Sequence, residues 1–363
     1  MRNSLFTIAL LFLALVSKGQ ESDSAKNTTK KFAIYPALAY SPESKLNIGA
    51  IAFIVLDRPT SQSGYYRPTS ITPYLVFTTN KQILFKSEFD FYTKRGINIG
   101  LISRLYKYPD SYYGIGNDTS PDSTERYDNN YLQLEGRVLK PHNANLFYGL
   151  VYDIQFNDIM PIEGGMLDAD DPNGVHGGRN IGIGPAASYD SRNSTLYPTE
   201  GKYITASINL YSKAIGSQFN YVKYSFDFRH YFELLGPKNI LAYQFKADLS
   251  SGTDIPFYKL NFMGGDNRLR GFDHQNLYRD RQSMYFQVEA RQELFWRFGG
   301  VIFAGVGEVF DTFSNFNTDN VRFVYGLGGR FQAIKDKKLN IRADLGFSDN
   351  GQYGVYLSVR EAF

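Results

Sequence analysis

The stretch VKYSFDFRHYF (residues 222–232) alternates without a break: Lys223, Ser225, Asp227 and Arg229 fall on one parity, and Val222, Tyr224, Phe226 and Phe228 on the other. Successive side chains of a β-strand point to opposite faces, so this segment reads as a strand with one ionic and one apolar face. The alternation outlasts the ~5–6 residues of an ordinary strand and reaches the ~9–11 that a tilted membrane span needs. Its apolar face is built of bulky rings, as a lipid-facing band would be. A soluble sandwich would turn such faces inward. Long strands with a bulky outer face fit lipid better, and only a closed sheet can sit there, because closure leaves no unpaired edge.

The pattern recurs along the chain. LAYQFKADLS (residues 241–250) sets Gln244, Lys246 and Asp248 against Leu241, Tyr243, Phe245 and Leu249. YLQLEGRVL (residues 131–139) sets Gln133, Glu135 and Arg137 against Leu132, Leu134 and Val138. About sixteen such strands are expected, near 32–41, 45–57, 70–80, 82–93, 96–106, 129–140, 143–157, 177–190, 200–213, 219–234, 239–252, 283–296, 299–310, 320–332, 337–348 and 351–363. The fold class is therefore all-β, a closed antiparallel transmembrane barrel. An even count puts both ends on the periplasmic side. Parity then sends the long connections 108–128, 158–176 and 253–282 outside and the short KRG, KPHN, ELLGPKN and KDK turns inside. One inside connection, 57–69, is longer than the pattern.

Composition agrees and excludes much else. The 363 residues include 28 Tyr and 29 Phe against one Trp, an aromatic density that suits strands and membrane-interface girdles. With no cysteine there is no disulfide, thiolate metal site or cysteine nucleophile. A net charge of +3 offers no footprint for nucleic acid. The four histidines, His142, His176, His230 and His274, are scattered, which argues against a metal cluster or a catalytic triad. DADDPNG (residues 168–174) resembles a calcium loop, but Pro172 stands where a third ligand would fall, so a solvated acidic turn is expected. No enzyme, metal or cofactor is expected.

Both ends of the sequence carry signals. Arg2 precedes an apolar run of residues 5–16, too short to span a bilayer, and small residues Ser17 and Gly19 follow. Residues 1–19 thus read as a cleaved secretory signal, 20–31 as a polar lead-in and 32–363 as the barrel. The chain ends GVYLSVREAF, with Phe363 closing a strand that carries Val355, Leu357 and Val359 on one face; Glu361 breaks that apolar series. The glycine- and arginine-rich GGDNRLRGFDHQ (residues 264–275) lacks the strand–loop–helix context of a phosphate cradle.

Four stretches together resemble the BamA/TamA-type outer-membrane insertase superfamily, the bacterial surface antigens. YDSRNSTLYPTEGKYI (residues 189–204) is similar to its strand–turn–strand signature, with Asp190, Arg192, Pro198 and Gly201 in place. LRGF (residues 269–272) resembles the hallmark of its sixth extracellular loop, where parity had already put this stretch. FAGVGEVFD (303–311) with the terminal strand, and YYGIGNDT (112–119), match further family motifs. The resemblance implies that the sixth loop folds into the lumen and latches through Arg270, Gly271 and Phe272. Arg270 would pair with Glu289 on the inner wall. The family commonly places a second acid where this chain has Gly305, and Asp344 is the alternative partner. It also implies that Phe363 serves outer-membrane targeting and that the first and last strands form a weak seam.

The chain reads as a short member without the POTRA domains that precede such barrels. Outer-membrane lipid is the expected surrounding. Outer-membrane client proteins or a separate POTRA-bearing periplasmic subunit are the expected partners, with insertion, assembly or translocation of outer-membrane proteins as the function. The alternative is a passive or plugged pore, or a surface partner of another periplasmic protein.

Overall fold

The computed structural model describes residues 30–56, 69–93, 95–236, 238–272, 274–334 and 338–363. The expected signal segment, most of the expected lead-in and the connection 57–68 lie outside the described residues. Strands β1 (Lys30–Ser41), β2 (Lys45–Leu56), β3 (Thr69–Thr78) and β4 (Ile83–Tyr92) follow one another by hairpins. So do β5 (Asn98–Tyr112), β6 (Glu125–Pro141), β7 (Leu146–Met160), β8 (Gly177–Asp190) and β9 (Gly201–Tyr211). Strands β10 (Tyr221–Glu233) and β11 (Asn239–Ser251) lead to a long connection that holds a two-stranded ribbon, β12 (Asn261–Phe262) with β13 (Arg279–Asp280). The barrel resumes with β14 (Gln282–Glu293), β15 (Phe298–Phe310), β16 (Arg322–Ile334), β17 (Leu339–Ser348) and β18 (Tyr353–Val359). Every pairing is antiparallel and β18 meets β1, so sixteen strands close the barrel.

The alternation decides which face is which. In β10, Phe226 is 38% exposed, whereas Asp227 beside it is 5% exposed and hydrogen-bonded to Arg229 and Gln244. Leu105, Leu150, Ile302 and Leu327 stand on the same outer surface as Phe226. A polar inner face under an apolar outer one is the arrangement a lipid-embedded barrel requires.

Two departures from the expected strands have physical causes. Strands β5 and β6 continue past the expected 106 and 129, because Tyr112 and Tyr127 there are held in an apolar cluster. That cluster also takes in Leu167 of the short helix α1 (Met166–Asp170), Phe257, and Tyr211 stacked on Tyr221 with ring centres 4.2 Å apart. It covers the end of the barrel that carries the long connections. Neither α1 nor the β12–β13 ribbon was expected. The last strand stops at Val359 rather than at 363. Arg360 adopts a left-handed φ of 73° while its N–H bonds Asn340, and residues 361–363 leave the sheet. Glu361, the residue that broke the apolar series, thereby reaches buried polar partners.

Candidate functional site

The connection between β11 and β14 brings Arg270 to a position with no solvent exposure. One guanidinium nitrogen bonds Glu289 of β14 and another bonds Asp344 of β17, at 2.5 Å. The expected partner and the alternative partner therefore bind together, as a two-acid clamp. The guanidinium also lies 3.8 Å from the centre of the Phe303 ring. Around this clamp Arg291 donates to Glu289 at 2.8 Å, Arg330 to Asp344 at 2.5 Å, and Arg342 to Asp344 at 2.9 Å and Asp266 at 3.0 Å. Glu361 takes the Nε of Arg330 at 2.8 Å and Asn340 at 2.7 Å. Four arginines thus face four carboxylates, which keeps the cluster near neutrality. Buried charge persists only when paired in this way.

Glycines let the connection come this close. A Cβ at Gly305 would stand 2.6 Å from the Leu269 side chain, so the family's second acid has no room at that position. Gly271 holds φ 155°, and a Cβ there would sit 2.6 Å from the Phe347 carbonyl. The Tyr356 hydroxyl donates to the Phe272 carbonyl at 3.2 Å, tying the connection to β18 as well. Leu269 and Phe272 pack with Tyr285, Val309 and Val324 of β14, β15 and β16.

The other singled-out residues fall into two places. Arg192 clasps Asp190 through two nitrogens at 2.9 and 3.0 Å and lies 4.2 Å from the centre of the Tyr203 ring. Gly201 closes that turn at φ 97°, and Pro198 is buried within it. Phe363 is 4% exposed, packed with Tyr231 and Ala242, and its carbonyl accepts from Arg291 at 2.9 Å. Arg268, two residues before Arg270, bonds Asp248 at 3.2 Å and the Phe262 carbonyl at 2.8 Å. Sequence reasoning missed Arg330, Arg342 and Asp266 as members of the cluster. Arg342 could have been found by parity, since it sits two residues from Asp344 on the polar series of β17.

The seam is the second candidate. Strand β1 pairs with β2 at every position from Lys30 to Ser41, yet with β18 only at Tyr40, opposite Leu357. Seven positions join β18 to β17. Because the chain turns away after Val359, which the register sets opposite Leu38, the edge of β1 from Lys30 to Ala37 pairs with no strand on that side among the described residues. Unsatisfied strand edges are templates for a further strand.

A family model described as the Omp85 superfamily domain matches residues 75–347. Among solved structures, the crystal structure of BamA from Haemophilus ducreyi lacking POTRA domains 1–3 is similar, with TM-score 0.63 at 15% identity. The match covers 98% of this chain and 77% of that one. CdiB from Acinetobacter baumannii gives TM-score 0.58 at 10% identity, over 92% of this chain and 65% of that one. At such identities the likeness concerns the fold. No curated protein matches the chain.

Proposed function

The chain belongs to the Omp85 superfamily, and on that premise we propose that it assists the insertion, assembly or translocation of other outer-membrane proteins through its open seam. Membership implies an outer-membrane barrel. The orientation we infer has both ends periplasmic, from the even strand count and the short turns gathered at one end. The observation that carries the functional reading is the single paired position between β1 and β18.

An unpaired β1 edge offers backbone N–H and C=O groups to an incoming strand, the mode in which extended peptides add to sheets. We infer that the connection bearing Arg270 enters the lumen and acts as a latch. By tying β14, β17 and β18 together it would keep that wall stiff while the β1 side gives way. A separate POTRA-bearing subunit would supply a docking surface for unfolded clients. The pore reading is weakened by the apolar cluster of Tyr112, Tyr127, Leu167 and Phe257 over the loop end.

The chain contains no cysteine, so a designed pair stands alone. Tyr40 and Leu357 are directly opposed, as a disulfide requires. Vesicles holding the parent barrel should speed the folding of an added unfolded barrel protein relative to empty vesicles. The oxidised Tyr40→Cys, Leu357→Cys variant should lose that acceleration and regain it on reduction. Equal rates with and without the parent, or no effect of the tether, would overturn the reading.

A further inference from the structure

At the turn end of the barrel a cavity of about 320 Å³ opens between the β10–β11, β14–β15 and β16–β17 turns. Its lining holds more positive than negative charge. Lys238, Arg291, Arg297, Arg330 and Lys338 line it against Glu293 and Glu361, and Arg291 and Arg330 are paired behind the lining with Glu289 and Asp344, so the excess rests on Lys238 and Arg297. Those two acids are already engaged: Glu293 bonds Lys338 at 2.8 Å and Glu361 bonds Arg330. Among the described residues, no carboxylate pairs with Lys238 or Arg297.

The buried arginines carry a second sign. Arg291 is 1% exposed and Arg330 5%, and each keeps one guanidinium nitrogen without a hydrogen-bond partner. Arg270 and Arg342 of the same cluster also leave one nitrogen unmet, but they lie away from the cavity. An unmet buried donor is costly, more so when charged, and an anion seated beside it removes that cost. Guanidinium groups suit the oxygens of phosphate in particular.

The surroundings favour a phosphate that carries an apolar tail. Leu294, Phe295 and Trp296 stand exposed on the turn that rims the cavity, and Trp296 holds a left-handed φ of 51° that a bulky side chain rarely adopts. A second hollow of about 330 Å³ shares Gln292, Gly300 and Val301 with the first. It is bordered by Ala290 and by Ile302, which lies on the outer, lipid-facing surface. We propose that this cavity binds the phosphodiester headgroup of an anionic phospholipid, with an acyl chain along the notch at Ala290, Gly300 and Ile302.

Trp296 is the chain's single tryptophan and stands at the rim, so its fluorescence reports occupancy directly. The folded protein in uncharged detergent would be titrated with dihexanoyl phosphatidylglycerol, dihexanoyl phosphatidylcholine and inorganic phosphate. The glycerol lipid should saturate at a concentration about tenfold below that of the choline lipid. The triple variant Lys238→Gln, Arg297→Gln, Lys338→Gln changes side chains at the turns and should weaken binding by about tenfold or more. A Cβ at Gly300 meets only Leu294, at 3.7 Å, so Gly300→Leu fits and fills the notch. It should weaken the lipid and leave phosphate unchanged. Should phosphate bind as tightly as the lipid, and Gly300→Leu alter neither, the site takes free phosphate and the lipid assignment fails. No saturable change with any anion, or a triple variant that binds like the parent in its unboiled gel form, overturns the anion site altogether.

Discussion

At the scale of the residue, the clamp on Arg270 ties together the connection and two distant strands. Removing one partner of a buried pair strands the other, at about 3–5 kcal/mol, whereas a partly exposed pair is worth only about 0.2–1 kcal/mol. Arg270→Ala should therefore lower the urea midpoint of the folded barrel far more than Arg268→Ala, whose side chain is 25% exposed. Lysine at 270 should rescue poorly, because it cannot span Glu289 and Asp344 with a planar fork. Equal losses for Arg268→Ala and Arg270→Ala would remove the special role of the clamp. A second residue, Glu43 in the β1–β2 turn, is buried with one carboxylate oxygen lacking a partner. Burial, with nearby Asp266 adding repulsion, outweighs the Ser41 hydrogen bond and pushes its carboxyl up to about 7. The unfolded chain releases this proton near the ordinary carboxylate range while the folded chain still holds it. Stability should then fall as pH rises from about 4.5 to about 7 and level off above. Glu43→Gln should be stabilising by about 3 kcal/mol at pH 8 and neutral at pH 4. Matching urea midpoints for parent and variant at both pH values would disprove the shift.

At the scale of the element, period-two alternation was enough to count the barrel strands and to assign their faces. Asp227 inside and Phe226 outside follow from parity alone, since a one-residue slip would reverse every side chain. Strand ends were less legible, because they depend on what covers them. Tyr112 and Tyr127 extend β5 and β6 only because Phe257 arrives from a connection more than a hundred residues away in sequence. The end of β18 was hidden for a related reason. Glu361 was visible as a misfit, but its partners Arg330 and Asn340 lie on two other strands, and nothing local says that Arg360 will turn the chain inward. The candidate site shows the same division. Arg270 and Glu289 came from a motif and a parity series, whereas Gly305 gave no hint that Leu269 would fill the place of an acid. That contact exists only once the connection has met β15.

At the scale of the molecule, we infer two layers between the loop end and the turn end. The outer layer is the apolar cluster around Tyr112, Tyr211 and Phe257; the inner one is the Arg270 cluster with Leu269 and Phe272. One connection supplies side chains to both, since Phe257 and Leu260 belong to the first and Met263, Leu269, Phe272 and Leu277 to the second. If that connection fills the lumen, the barrel should be electrically silent in planar bilayers. Silence should persist in molar potassium chloride, because salt screens buried pairs far less than exposed ones. Replacing residues 253–281 with a short glycine–serine turn takes Phe257 and Leu260 out of the outer layer and Arg270, Leu269 and Phe272 out of the inner one. The sheet should tolerate this, because Asp248 of β11 already faces Ser283 of β14 and the strand ends lie side by side. The shortened barrel should conduct steadily while still migrating as a compact band before boiling. Arg270→Ala alone should give at most brief openings, since the apolar contacts of Leu269 and Phe272 remain. Steady conductance in the parent would return the passive-pore reading. A folded but silent shortened barrel would place the seal in some other part of the wall.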